Sequence, residues 1–244
     1  MRTLNFARRN AKEILRDPLS LIFGLGFPLT LLLLLTAISR NVPMSPFSVT
    51  TLTPGVAVFG QSFLALFSAL LISRDRASAF MARLMASPMT AWEFILGYML
   101  PLLPMALIQI LVCYGAALAL GLPFGGSAVQ SAMAVYPMCF FYVAMGLLCG
   151  TILNDKQVGG ICGALITNLS AWLSGAWFDP AVVGGPFEAV SKVLPFYQAV
   201  QAGRIPLTGG GQVMAHLIWV LIYGAAFTFL AAWVFYARMR KGRL

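Results

Sequence analysis

Histidine occurs once, at His216, and no carboxylate or cysteine stands near it in sequence. It therefore belongs to no metal-binding or catalytic set and reads as a polar residue near the start of an apolar run. Cys113, Cys139, Cys149 and Cys162 all fall in apolar stretches without C-x-x-C spacing. They read as small buried apolar residues rather than as disulfide or metal sites. No G-x-x-x-x-G-K-[ST] occurs, so the chain has no P-loop with which to cradle nucleotide phosphates. Between two long apolar runs charge gathers in an internal segment, "SRDRASAFMARLMASPMTAWEF", Ser73 to Phe94, which holds Arg74, Asp75, Arg76, Arg83 and Glu93. A helical wheel from Asp75 to Met85 puts Ala77, Phe80, Met81, Leu84 and Met85 on one face and Asp75, Arg76 and Arg83 on the other. Such a short amphipathic helix does not hold itself without a surface to rest on. Contact chemistry, rather than catalysis, is what these residues offer.

The elements that position them follow from composition. The chain has 244 residues, 60% hydrophobic and 9% charged, far from the roughly one quarter charged of soluble domains. A bilayer core about 30 Å thick takes about 20 apolar residues per helical span. Uncharged windows of that kind run approximately over Leu19–Ile38, Thr53–Ser73, Phe94–Leu120, Ser131–Leu153, Val158–Trp177 and Val213–Ala237. The expectation is an all-α integral membrane protein with six transmembrane helices in a single domain over 1–244. Runs such as "LTLLLLLTAI" do not alternate as barrel strands do.

Residues 1–17 come before any span. On a wheel Leu4, Ala7, Ala11, Ile14 and Leu15 share one face and Arg8, Arg9, Lys12, Glu13 and Arg16 the other, which predicts an amphipathic elbow helix lying in the membrane interface. Such an elbow serves as a surface anchor or also touches a cytoplasmic partner. Asp17–Pro18 reads as an N-cap followed by a first-position proline. With a long amphipathic basic stretch, a full-length apolar run and no small-residue cleavage site after it, the segment is not expected to be a cleaved signal peptide.

Lysine and arginine orient the bundle. Arg2, Arg8, Arg9, Lys12, Arg16, Arg74, Arg76, Arg83, Lys156, Arg238, Arg240, Lys241 and Arg243 fall on one side, against Arg40, Lys192 and Arg204 on the other. Both termini are predicted to be cytoplasmic. The net charge of +9 then reflects topology and attraction to anionic membrane lipid. Dispersed over helix ends, these residues make no nucleic-acid stripe.

Within the spans the polar signal is mild. Gln61 and Ser68, with Phe59, Phe63 and Phe67 close by, and Thr167, Asn168, Trp172 and Ser174 are suited either to line a path for amphiphilic cargo or to bond helices together. Gly146 with Gly150 and Gly159 with Gly163 flank the turn "NDKQ" and predict a closely packed hairpin of the fourth and fifth spans. Pro101 and Pro104 predict a bend in the third. Residues 178–212 are too apolar for a solvated loop, yet are broken by Pro180, Pro186, Pro195 and Pro206. Two short helices meeting at Pro195 fit that pattern, as an outer cap or as an outer gate built on Phe187, Leu194, Pro195 and Phe196. None of the six windows holds Asp, Glu, Lys or Arg, which disfavours an ion-coupled carrier and places the energy source outside the chain.

On these residues the chain resembles the membrane-spanning permease subunits of type-2 ABC exporters. The segment "SRDRASAFMARLMASPMTAWEFILG" is similar to that family's acidic-basic segment, its small-residue–Pro step, and the Glu and Gly of the following span. Arg74, Asp75, Arg76, Leu84, Ser87, Pro88, Glu93 and Gly97 fit the pattern, whereas Ala79, Phe80 and Ala82 depart from its usual Gly-Thr and following Glu. "KVLPFYQAVQAGR" resembles the family's outer Leu-Pro segment. The resemblance implies a cytoplasmic coupling-helix loop over 74–93, with Arg74, Asp75, Arg76, Phe80, Arg83 and Leu84 contacting an ATPase partner and Glu93 transmitting motion into the bundle. It also implies a second permease copy or paralogue, location in the cell inner membrane, and ATP with Mg held by two ABC ATPase subunits rather than by this chain. The expected cargo is a drug, lipid-like molecule or peptide. Export of polysaccharide or lipid-linked glycan, and a non-transporting membrane scaffold, are the alternatives; an intramembrane enzyme would need a convergent nucleophile and base, and replacing His216 would then abolish its activity.

Overall fold

The structure is a computed structural model that describes residues 2–41, 48–78, 80–81 and 89–240, and among these the regular elements are helices. Helix α1 (Arg2–Leu15) precedes α2 (Ile22–Ser39), α3 (Val49–Arg76), α4 (Ala91–Ala119) and α5 (Gly126–Ile152). Then come α6 (residues 155–173), α7 (Gly185–Val193), α8 (Pro195–Thr208) and the last helix, α9 (Val213–Arg240). Of these, α2, α3, α4, α5 and α9 are long and apolar enough to cross a membrane.

The expected fifth span falls short of that standard. Its helix opens on the charged pair Asp155–Lys156, passes through a π-helical stretch at Gly159–Ile166, and stops at Leu173, with Thr167, Asn168 and Ser170 diluting its apolar character. Several boundaries also move outward. Helix α3 begins at Val49 rather than Thr53 and continues through Arg76, since nothing in "VTTLTPG" interrupts it; Pro54 is accommodated inside the helix.

Helix α3 is the centre of the bundle, with Leu52, Val56, Ala57, Val58, Ala65, Ala69 and Ile72 all inaccessible. It packs on α5, which in turn packs on α9. The contact with α5 depends on Gly146 and Gly150. A Cβ at Gly146 would collide with Ser68 Oγ and the Ala65 carbonyl oxygen, and one at Gly150 with Ile72 and the Ala69 carbonyl oxygen. In lipid, where no hydrophobic force draws helices together, such close backbone approach is the main source of packing attraction. The predicted hairpin of the fourth and fifth spans is therefore corrected: these glycines serve the second span, and Gly159 meets nothing within 4 Å.

Prolines set the bends. Helix α4 turns at Leu100–Pro101 and resumes at Leu102, because Pro101 has no N–H to continue the ladder. Pro104 causes no second break. It is the third residue of the resumed helix, where a backbone N–H has no intrahelical partner to lose. Helix α8 starts with Pro195 as its first residue after an extended Leu194 (φ −76°, ψ 149°), the position proline favours.

Candidate functional site

At one end of the bundle α1, the last turn of α3 and the first turns of α4 meet around a buried carboxylate. Asp75 is 3% exposed. The Arg9 guanidinium donates to both of its oxygens, Nη1 to Oδ2 at 2.6 Å and Nη2 to Oδ1 at 2.7 Å, the bidentate geometry that makes such pairs strong. The Tyr98 hydroxyl donates to Asp75 Oδ2 at 2.9 Å. Arg9 also pairs with Glu13 at 2.9 Å and lies 4.1 Å over the Phe80 ring. Burial works against the Arg9 charge, but the hydrogen bond and charge of Asp75, helped by Glu13, outweigh it and hold its pKa above the ordinary value.

The same face of α1 is keyed into α4. Phe6 stands edge-on to Tyr98 at 4.9 Å and to Phe94 at 6.0 Å. It can do so because residue 97 is glycine; a Cβ there would overlap the Phe6 ring. Asn10 Nδ2 donates to the Gly97 carbonyl at 3.1 Å. Phe6, Asn10 and Ile14, spaced four apart, thus form one buried line. Leu4 and Leu15 are 69% and 68% exposed, while Arg9, assigned to the solvated face, reaches into the junction.

The charged segment itself divides. Helix α3 carries Arg74, Asp75 and Arg76 as its final residues and ends in a turn at Ala77–Ser78, so the continuous wheel from Asp75 to Met85 is not what forms. Arg74 faces Asp17 at 3.5 Å. Arg76 Nη1 donates to the carbonyls of Gly150 at 2.7 Å and Leu153 at 3.1 Å, capping the end of α5, where unsatisfied carbonyls attract a cation. Ser73 Oγ donates to Asp155, and Arg238 donates to the Thr151 carbonyl at 2.9 Å. Met81 is 2% exposed, whereas Arg83, Leu84, Met85, Ser87 and Pro88 lie outside the described residues. Glu93 forms a capping box with Thr90: its Oε2 accepts from Thr90 N at 2.7 Å, and Thr90 Oγ1 accepts from Glu93 N at 3.3 Å.

Of these partners, Asn10, Tyr98 and Thr90 were not singled out from the sequence, and Arg9 was read only as part of the elbow's charged face. Thr90 carried a local signal, T-x-x-E before an apolar run. Asn10 carried a weaker one, an amide between Phe6 and Ile14 at helical spacing.

The residues read as a cargo path do not line one surface. Gln61, Phe63, Phe67 and Ser68 are all buried in the bundle. Gln61 Nε2 donates to the Val135 carbonyl at 3.2 Å and Ser68 Oγ to the Val143 carbonyl at 3.1 Å, both on α5. Here the helix-bonding reading describes the polar pair. Asn168 and Trp172 sit apart on the exposed side of α6; Asn168 donates to its own helix at the Ala164 carbonyl, 2.8 Å away.

At the opposite end, Phe187 stacks on Phe178 at 6.2 Å, Leu194 is half-buried, and Pro195 and Phe196 are buried. Phe196 stacks on Tyr142 at 5.9 Å and meets Phe141 edge-on at 5.6 Å. Helix α8 is drawn into the bundle at Gly203, whose carbonyl accepts from Ser131 and whose missing Cβ leaves room for Val135 and Pro54. Arg204 Nε donates to the Thr51 carbonyl at 3.0 Å; burial lowers its pKa, with Tyr197 and Asp179 opposing. Trp219 Nε1 donates to the Val193 carbonyl at 2.8 Å, and His216 Nδ1 donates to Gln198 Oε1. His216 is thus a tie between α9 and α8. Among the described residues no group of three His, Cys, Asp or Glu side chains is placed to hold a metal ion.

Compared with known proteins, residues 3–208 match the ABC-2 type transporter family. No curated protein matches the chain.

Proposed function

Since the chain belongs to the ABC-2 type transporter family as a membrane-spanning permease subunit, we propose that it conducts an amphiphilic substrate outward, driven by ATP hydrolysed on separate ABC ATPase subunits. In this reading it works in the cell inner membrane as a dimer with a second copy or a paralogue. Helix α6 serves as a sixth, less apolar crossing, both termini are cytoplasmic, and ATP and Mg are held by the partner. The elbow lies in the cytoplasmic interface, and the segment after α3 is the coupling loop, in which Arg83 and Leu84 serve contact with the ATPase while Phe80 packs against Arg9 and Phe6 of the elbow. Phe187, Leu194, Pro195 and Phe196 form the outer gate.

One observation carries this reading. The Arg9–Asp75–Tyr98 junction ties the elbow, the end of α3 and the start of α4 together on both sides of the loop that the family resemblance assigns to coupling. A push on that loop has a stiff, hydrogen-bonded base from which to move three elements at once. Arg74, Asp75 and Arg76 act in that base rather than as free contact residues, and Glu93 acts through the start of α4.

The reading is tested by purifying the full chain from its native membrane under mild detergent. An ATPase subunit should co-purify, and in the reconstituted complex Arg83→Glu should abolish transport while ATP binding by the partner persists. Arg83 is the informative choice because Arg76 is committed to the carbonyls of α5. Purification without any nucleotide-binding subunit, or full transport by Arg83→Glu, would sink the proposal.

A further inference from the structure

A cleft of about 860 Å³ opens beside the elbow, on the far side of α1 from the α4 contact. Its lining holds two acid–base pairs, Arg9 with Glu13 at 2.9 Å and Arg74 with Asp17 at 3.5 Å. It holds three further cations, Arg8, Lys12 and Arg16. These three are exposed and make no ion pair among the described residues. Spaced four apart, they follow one line along α1 and into the turn after it. The cleft thus has an excess of positive charge and a volume that exceeds what a bare anion needs and admits a larger anionic ligand.

Its position narrows the choice of anion. Pro18, the first residue of the helical turn that leads into α2, lines the cleft, and Arg74 lines it from the last turn of α3. The cleft therefore sits where two apolar spans end, at the level of lipid headgroups. Apolar side chains flank the cations along the chain: Leu15 is 68% exposed and Ile22 64% exposed. Leu15 and Ile22 stand beside the cleft in the chain rather than in its lining; a soluble anion has no use for such an apolar margin, whereas a phospholipid carries acyl chains next to its phosphate.

We propose that this cleft is a binding site for an anionic phospholipid, with Arg8, Lys12 and Arg16 on the headgroup phosphate and Leu15 and Ile22 against the acyl chains. Guanidinium groups suit phosphate oxygens because they present paired donors, and Lys12 adds a point charge. Bound there, the lipid fills the angle between the elbow and the first span. The site does not depend on the transport function proposed above, since it lies on the face of α1 turned away from α4.

The test uses the purified full chain in neutral detergent, mixed with phosphatidylglycerol and phosphatidylcholine of equal chain length, with retained lipid counted by native mass spectrometry. Phosphatidylglycerol should be retained in preference. The triple variant Arg8→Gln, Lys12→Gln, Arg16→Gln should lower that retention about a hundredfold, and Arg16→Gln alone should lower it several-fold. A control that removes charge elsewhere, Lys156→Gln with Arg240→Gln, should leave it unchanged. Equal retention of both lipids by the wild type overturns the proposal, as does equal loss in the triple variant and the control. Displacement of phosphatidylglycerol by millimolar inorganic phosphate would instead mark a soluble-anion site, and its release on assembly with an ATPase subunit would mark a protein interface; either result overturns the lipid assignment.

Discussion

Asp75 and Arg9 are unequal partners, and the inequality predicts which substitution does more harm. Asp75 is 3% exposed and the Arg9 side chain 37%, so removing the arginine strands a carboxylate that water does not reach. Arg9→Met should destabilise the chain by about 2 kcal/mol, less than for a fully buried pair because solvent already screens the arginine. Asp75→Asn keeps an acceptor for Tyr98 and leaves Arg9 near water, so about 1 kcal/mol is expected. Thermal unfolding in detergent checks both, and the double variant should recover part of the Arg9→Met loss. A ranking in which Asp75→Asn is the worse single change would refute this account of the junction. Local sequence could not rank them: the charge pattern placed Arg9 and Asp75 on solvated faces, and only burial shows which one depends on the other.

Helix ends and helix contacts respond to different changes. Glu93→Ala should weaken the start of α4 by about 1 kcal/mol, as loss of a capping box does, whereas Glu93→Gln keeps the reciprocal hydrogen bonds and should preserve stability. Transport then separates two roles: if Glu93→Gln is stable yet slow, the charge itself contributes to coupling. Between α3 and α5, Gly146→Ala and Gly150→Ala each force a methyl group against backbone carbonyl oxygens, which cannot move aside as a flexible side chain would. Each should cost about 1–3 kcal/mol and lower the yield of folded protein. Gly159→Ala, with open space around it, should be neutral or slightly stabilising. The G-x-x-x-G spacing was plain in the sequence. Its partner was not, because a stripe of small residues says that something comes close without saying what.

For the bundle as a whole, the outer segment offers the most direct test of motion. Phe196 is wedged between Tyr142 and Phe141, and α8 is held by Gly203, Arg204 and His216, so any opening must release α8 or carry it along. Cysteines placed near Pro195 in both copies of the proposed dimer should crosslink differently with and without ATP; an unchanged pattern counts against a gate. His216→Ala should leave partner ATP hydrolysis intact and loosen α8, seen as faster hydrogen exchange over residues 195–208. Composition and the spacing of apolar runs determined by themselves that the chain is helical and lies in the membrane, because the bilayer demands about 20 apolar residues per crossing and helices satisfy their own backbone. The missing P-loop and the charge confined between runs were equally legible, being properties of contiguous residues. What only the tertiary structure decided is which distant groups meet: Arg9 with Asp75 across 66 positions, Asn10 with the Gly97 carbonyl, Arg76 with the end of α5. Helical periodicity fixes the face on which a side chain stands, but the element that covers that face is set by packing among helices far apart in sequence. For that reason Asp75, read as a surface charge, turned out to be the buried centre of the elbow junction.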